Sequence, residues 1–269
     1  MLTLLSKKNV IFASNDRNKM KILGIIPSRY GSSRFPGKPL VKIGSKTMIH
    51  RVYEQAAKAF ENVVVATDDS RIFDEVVSFG GSAVLTSANH QSGTDRCAEA
   101  LEKFSQQVGI KFHAAVNIQG DEPFIKPEQL KTVAALFDNP STEIATLVKP
   151  IKDTETLFNE NVVKVVLDNA GGAIYFSRSP IPFMRGVEKN KWLEHNEFYH
   201  HIGVYAYRCD ILKKITKLPQ GNLELCEKLE QNRWLENGYK IKVCKTDFAG
   251  MGVDTPDDLE KILKTMNLD

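Results

Sequence analysis

Three cations, Arg29, Arg34 and Lys38, crowd a stretch of small and turn-forming residues, Pro27-Ser28-Arg29-Tyr30-Gly31-Ser32-Ser33-Arg34-Phe35-Pro36-Gly37-Lys38-Pro39-Leu40. Small residues let a backbone come close to a ligand, and cations make charge-assisted hydrogen bonds to phosphate oxygens, so the segment suits a polyphosphate. It is not a Walker A loop: Ser32 stands where the first Gly is needed, and Pro39 where a Ser or Thr would meet magnesium. No G-x-G-x-x-G fingerprint is present either. A solvated basic turn is the competing account. Two acids complement the loop, Asp121 in Gln119-Gly120-Asp121-Glu122-Pro123 and Asp254 in Gly252-Val253-Asp254-Thr255-Pro256. Hard oxygen ligands suit Mg²⁺, which takes few carboxylates and completes its shell with water and phosphate oxygens. Either acid alone could be a turn former. Together, opposite a basic loop, they suggest a metal–phosphate site. Glu122 is expected to orient the loop.

These residues need elements to carry them, and the pattern supplies them. Runs at 22–26, 62–67 and 114–118 are nearly continuous apolar, as strands buried on both faces are. Helical spacing over 48–60 and 95–104 separates them, and such alternation implies right-handed crossovers and a mainly parallel sheet. After about residue 140 the pattern loosens: 144–148, 162–167, 173–176 and 202–207 read as strands with few helices between, a mixed sheet or inserted lobe. A long helix is expected over 223–237, ended by Gly238, then a strand at 241–243. Thr255-Pro256-Asp257-Asp258 opens a final helix with a capping Thr, Pro at its first position and acids in its first turn. Ligands in open α/β sheets sit at strand carboxyl ends, where the cationic loop and Asp121 fall.

Composition narrows the class. The 269 residues are 42% hydrophobic and 26% charged with a net charge of +3, which argues against a basic nucleic-acid coat. No apolar run is long enough to cross a bilayer, and the N-terminus lacks a secretory pattern. Cys97, Cys209, Cys226 and Cys244 are scattered, so neither a disulfide framework nor a zinc knuckle is expected. Reduced thiols in a cytoplasmic protein are. Residues 1–19 read as a polar, mobile extension ahead of a folded region opening at Met20-Lys21. Cys97, beside Arg96, could be slightly activated. Cys226 reads as a small core thiol, and Trp192 and Trp234 as core or subunit-contact residues. Glu224, Glu227, Glu230 and Glu236, with Lys228 and Arg233, read as a solvated helix face with local ion pairs. The polar loop His90-Gln91-Ser92-Gly93-Thr94 could read a pyrimidine edge, with Thr94 capping the helix that follows. Physics alone does not choose cytosine over uracil.

The I-I-P-x-R strand followed by G-x-x-R-F-P-G-K-P-L resembles the signature of sugar nucleotidyltransferases. More narrowly, it resembles the cytidylyltransferases that activate 3-deoxy-D-manno-octulosonate (Kdo) for lipopolysaccharide biosynthesis. The His90-to-Arg96 and Asn117-to-Pro123 segments, Tyr175-Phe176-Ser177-Arg178, His201-Ile202-Gly203-Val204-Tyr205-Ala206-Tyr207-Arg208 and Gly252-to-Pro256 continue the resemblance in family order across about residues 20–265. It implies a mainly parallel, Rossmann-like α/β sheet flanked by helices over 20–269. A smaller mixed-sheet lobe near 170–215 is implied for sugar binding and dimer contacts. The implied reaction is CTP plus Kdo giving CMP-Kdo and diphosphate. Arg29, Lys38, Asp121 and Asp254 would be catalytic, the two acids holding Mg²⁺. Arg29, Arg34, Lys38, Gln91, Ser92 and Gly93 would bind the nucleotide. Arg96, Arg178, Arg185 and His201 are candidates for the sugar carboxylate, and Gln119, Tyr205, Glu230 and Gln231 for its hydroxyls. Alternation along the strand puts His200 and His201 on opposite faces, and His201 fits the family position. A homodimer acting on CTP and an acidic 2-keto sugar, without nucleic acid or membrane, is expected. Open alternatives are a cytidylyltransferase for sialic acid or 8-amino-Kdo, a sugar-phosphate nucleotidyltransferase, and a non-catalytic nucleotide-binding module.

Overall fold

The computed structural model describes residues 20–31, 35–248, 250, 252–253 and 255–265. The expected extension over 1–19, Arg34 and Asp254 lie outside the described residues. The first apolar run forms β1 (Ile22–Ser28), and a 3-10 turn at Lys38–Leu40 leads into the short hairpin β2 (Lys42–Ile43) and β3 (Lys46–Thr47). Thr47 caps α1 (Met48–Ala59), whose stripe of Met48, Ile49, Val52 and Ala56 is buried at helical spacing. The alternation continues through β4 (Asn62–Thr67), α2 (Ser70–Ser78), β5 (Ala83–Leu85), α3 (Gly93–Val108) and β6 (Ala114–Asn117). Next come α4 (Pro127–Ala135), β7 (Ile144–Pro150), α5 (Thr154–Phe158), β8 (Lys164–Leu167), β9 (Ala173–Ser177), α6 (Trp192–His195) and β10 (Tyr199–Arg208). The chain closes with α7 (Cys209–Ile215), α8 (Asn222–Glu227), α9 (Glu230–Glu236), β11 (Ile241–Lys245) and α10 (Pro256–Thr265).

The main sheet runs β11-β7-β10-β6-β1-β4-β5. Pairings are parallel from β6 through β1 and β4 to β5, and again between β11 and β7. The reversal comes at β10, antiparallel to both β6 and β7. One apolar layer packs Leu23, Ile25, Tyr205, Tyr207 and Trp234 with Cys97, Leu101 and Phe104 of α3. The opposite layer packs Ile26, Val65, Val116 and Val204 against α1, α2 and α4. Burial on both faces explains the unbroken apolar runs of the central strands.

The later strands do not form a separate sheet. β7, β10 and β11 extend the main one, and only the β8–β9 hairpin branches away, through pairing of β8 with β10. The single long helix expected over 223–237 is two helices. Lys228 takes a left-handed conformation, φ 54°, and turns the chain between α8 and α9. Its charged residues are a solvated face only in part: Lys228 and Glu236 are exposed, but Glu224 and Arg233 are buried in a bidentate pair, both bonds 2.6 Å, that clasps α8 to α9 across the break. Periodicity continues through such a break because the apolar face is kept on both sides of it. Cys226, expected in the core, is exposed. Cys97 is fully buried, and desolvation drives its thiol pKa far up, opposite to the activation expected beside Arg96. Trp192 and Trp234 are core residues, and no helix among the described residues is long and apolar enough to cross a membrane.

Candidate active site

The carboxyl ends of β1, β4 and β6 lie side by side, and the chemistry-bearing loops leave from them. Arg29 follows β1 directly and is exposed. Gly120 follows β6, where a Cβ would lie 2.9 Å from the Pro27 carbonyl oxygen, so only glycine lets this turn close onto the end of β1. That approach delivers Asp121 to the cationic loop: Lys38 Nζ donates to Asp121 Oδ2 at 2.8 Å. The Val253 amide donates to the Asp121 carbonyl at 2.9 Å, bringing the residue before Asp254 to the same point. Glu122 turns inward, its carboxyl packed against Gly250, and burial with the neighbouring Asp121 charge pushes its pKa up to about 7. Its side chain thus lies between the Asp121 turn and Gly250.

The polar loop beside this pair is built by α3. Ser92, rather than Thr94, is the cap: its Oγ accepts the Asp95 amide at 3.1 Å while Asp95 accepts the Ser92 amide, a reciprocal capping box. Gly93 abuts Pro27, so the loop borders the end of β1. Gln91 is exposed and folds back on the Asn89 carbonyl. His90 is tied to Glu99 at 2.5 Å. Thr94 is freed from capping, and its hydroxyl donates to Glu230 Oε2 at 2.7 Å, linking α3 to α9.

Across β6 lies the other cluster. Gln119 Nε2 donates to the Gly203 carbonyl at 3.1 Å. The His201 ring sits 5.1 Å from those of Phe176 and Tyr205. Thr146 Oγ1 lies 2.8 Å from the Val204 carbonyl and 3.0 Å from His201 Nε2. A hydroxyl has one proton, so with that proton on the carbonyl, Nε2 carries a hydrogen and donates, leaving Nδ1 an acceptor. Burial lowers the His201 pKa to about 3, so it is neutral at ordinary pH and cannot supply the cation expected of it for a carboxylate. Burial also pushes Glu230 above the usual carboxylate range, and Gln231 is buried beside it.

The four proposed carboxylate partners are scattered. The Arg96 side chain is 5% exposed, donating to Thr86 Oγ1 at 2.6 Å and Asp68 Oδ2 at 3.1 Å; it is committed to shaping the ends of β4 and β5. Arg178 follows β9, where its Nε donates to the Glu227 carbonyl and its amide to Glu227 Oε2. Arg185 is exposed between β9 and α6, with no hydrogen bond or ion pair among the described residues. Three participants escaped the sequence reading: Asp68, Thr146 and Glu227. Asp68 stands just after a strand as Asp121 does, and Thr146 is a hydroxyl inside an apolar run; both were readable signs. Glu227, whose carboxylate takes Ser177 Oγ at 2.6 Å and the Arg178 amide at 2.9 Å, had none.

Ser28 Oγ, Asn117 Oδ1 and Tyr205 OH are buried without a hydrogen-bond partner among the described residues. All three lie on the adjacent strands β1, β6 and β10. No three His, Cys, Asp or Glu side chains converge among the described residues. Asp121, 32% exposed and paired with Lys38, instead suits a cation shared with phosphate oxygens.

A cytidylyltransferase family model matches residues 23–241. The 3-deoxy-manno-octulosonate cytidylyltransferase of Bacteroides thetaiotaomicron is 57% identical over 244 residues, covering 90% of this chain and 96% of its own. The protein of the same name from Parabacteroides distasonis is 55% identical over 248 residues, 91% and 97% of the two chains. Among solved structures, CMP:2-keto-3-deoxy-manno-octonic acid synthetase complexed with CTP superposes with a TM-score of 0.83 at 41% identity, covering 91% of this chain and 97% of that one. With the loops and paired charges placed as described, the chain belongs to the cytidylyltransferase family, within its 3-deoxy-manno-octulosonate branch.

Proposed function

We propose that this chain transfers CMP from CTP to the anomeric hydroxyl of Kdo, giving CMP-Kdo and diphosphate. The observation that carries the reading is the Lys38–Asp121 pair at the carboxyl edge of the sheet, with the Val253 amide bonded to the same residue. The hydroxyl oxygen attacks the α-phosphorus in line as the bond to the β-phosphate oxygen breaks. Such chemistry depends on placement and charge neutralisation. Arg29 and Lys38 hold the triphosphate and the charge that develops on it, and Arg34 supports the outer phosphates. Asp121 and Asp254 would hold Mg²⁺, which supplies Lewis-acid neutralisation at the α-phosphate and lowers the pKa of the attacking hydroxyl. Gln91, Ser92 and Gly93 border the base, read through exposed backbone and the Gln91 amide. Neutral His201, Gln119, Tyr205, Glu230 and Gln231 offer hydrogen bonds to sugar hydroxyls. Arg178, held by Glu227, is the best-placed cation for the carboxylate. Exposed apolar side chains at Ile174 and Phe183 support a homodimer contact on the 170–215 lobe. The same reading makes the enzyme cytoplasmic.

The test is diphosphate release from CTP and Mg²⁺ with Kdo, 8-amino-Kdo, sialic acid or a hexose 1-phosphate, with product identification. Kdo is expected to be turned over far better than the others, and Asp121→Ala to cut turnover by at least about a hundredfold. Preference for another acceptor would reassign the sugar. Tight CTP binding without turnover on any acceptor would point to a non-catalytic module.

A further inference from the structure

Arg29 and Lys38 stand at the two ends of one loop, and the structure shows what draws those ends together. The Gly37 amide donates to the Tyr30 carbonyl at 2.9 Å, clasping the neighbours of the two cations. Gly37 has φ of 72°, and a Cβ there would meet the Tyr30 ring at 3.1 Å, so the ring packs on the glycine backbone. The Arg71 guanidinium carbon lies 3.4 Å from the centroid of the same ring. Arg71, on α2, is itself fixed: its Nε and Nη2 donate to Asp69 Oδ1 and Oδ2 at 2.9 and 2.7 Å. Asp69 in turn caps α2, accepting the Arg71 amide at 2.9 Å. A helix on the nucleotide side thus reaches the cationic loop through a cation–aromatic contact.

We infer that Arg71 is a positioning residue for the nucleotide: through the Tyr30 ring it holds the Tyr30–Gly37 clasp, and so the spacing of Arg29 and Lys38. This rests on reading those two cations as the triphosphate clamp. The Arg71 side chain is 57% exposed, and the Asp69 cap uses the backbone amide of residue 71, so removing the guanidinium leaves the helix its cap.

The experiment compares Arg71→Ala, Arg71→Lys, Tyr30→Leu, the Arg71→Ala/Tyr30→Leu double variant and Lys38→Ala in the full chain. It measures kcat, KM for CTP, KM for Kdo and the thermal midpoint. Arg71→Ala is expected to lower kcat/KM for CTP by about three- to tenfold with KM for Kdo and the midpoint unchanged. Arg71→Lys should recover part of the loss, because it restores a cation over the ring without the planar stack. The double variant should be no worse than Tyr30→Leu, since both remove one contact. The inference is overturned by CTP parameters of Arg71→Ala within about twofold of the parent, or by losses that multiply in the double variant, as a direct phosphate contact would give. Equal losses toward both substrates with a lowered midpoint would overturn it too. Normal turnover in Lys38→Ala would instead remove the nucleotide clamp itself, so the two failures are distinguishable.

Discussion

Around the Lys38–Asp121 pair, the ionic groups hang from loops that leave the ends of parallel strands. Around α8, α9 and β9, they are packed into the interior. Arg29 is exposed, and Lys38 and Asp121 meet at the mouth of the cleft. Glu224, Arg233 and Asn232 are buried, with Glu224 and Arg233 paired and the Asn232 amide docked on Phe176 of β9, its Nδ2 donating to the Phe176 carbonyl at 2.9 Å. The first arrangement keeps charge available for a ligand at little structural consequence. The second makes the clasp between α8 and α9 part of the folding energy, because a charge buried with its partner becomes an uncompensated charge when that partner is lost.

This contrast can be broken from either side. The largest effect is expected from Glu224→Ala, which strands the Arg233 guanidinium in the interior. Urea unfolding should show a loss of about 3–5 kcal/mol, with activity per folded molecule retained well below the transition. A loss under about 1 kcal/mol would mean this pair behaves like a surface one. Next, Lys38→Ala should cut kcat by about 10²–10³ while the urea midpoint barely moves. A comparable fall in stability would erase the distinction between the two halves.

The effect that is smallest near neutral pH is a stability slope at His201. Its folded pKa of about 3 lies below the ordinary 6.5, so its contribution to stability is complete above pH 6.5 and is lost as pH falls toward 3, where the unfolded chain takes the proton first. Over that window the slope is at most about 1.4 kcal/mol per pH unit. His200, also lowered by burial, adds in the same sense. Glu122, raised to about 7, acts oppositely between its ordinary 4.5 and 7. The parent-minus-variant difference for His201→Asn isolates the His201 share. Identical slopes in the two proteins between pH 4.5 and 6.5 would show that the ring is not desolvated.

Much of the nucleotide side was legible because its information is local. A strand, a glycine and a charged residue in succession place that charge at a sheet edge wherever the strand packs. Asp121 was found that way, Lys38 from the cations and glycines clustered in its loop, and the capped start of α10, where Thr255 and Asp258 exchange bonds, from its Thr-Pro-Asp-Asp run. The misses were of another kind. Thr94 and Ser92 are equally good caps by composition. Ser92 took the role and Thr94 turned to Glu230, a residue distant in sequence. Lys228 carries no glycine-like mark, yet it breaks a helix that periodicity runs straight through.

By itself, the sequence determined the alternating strands and helices, the burial of the central strands and the family to which the chain belongs. These follow from apolar patterning and from motifs whose residues are neighbours. Only the tertiary structure decided that His201 is neutral, that Arg96 is spent on Asp68, and that Glu224 and Arg233 close the bend between α8 and α9. Each depends on how much water is excluded around a side chain and which distant group replaces it, and desolvation is a property of the packed whole rather than of any short stretch of chain.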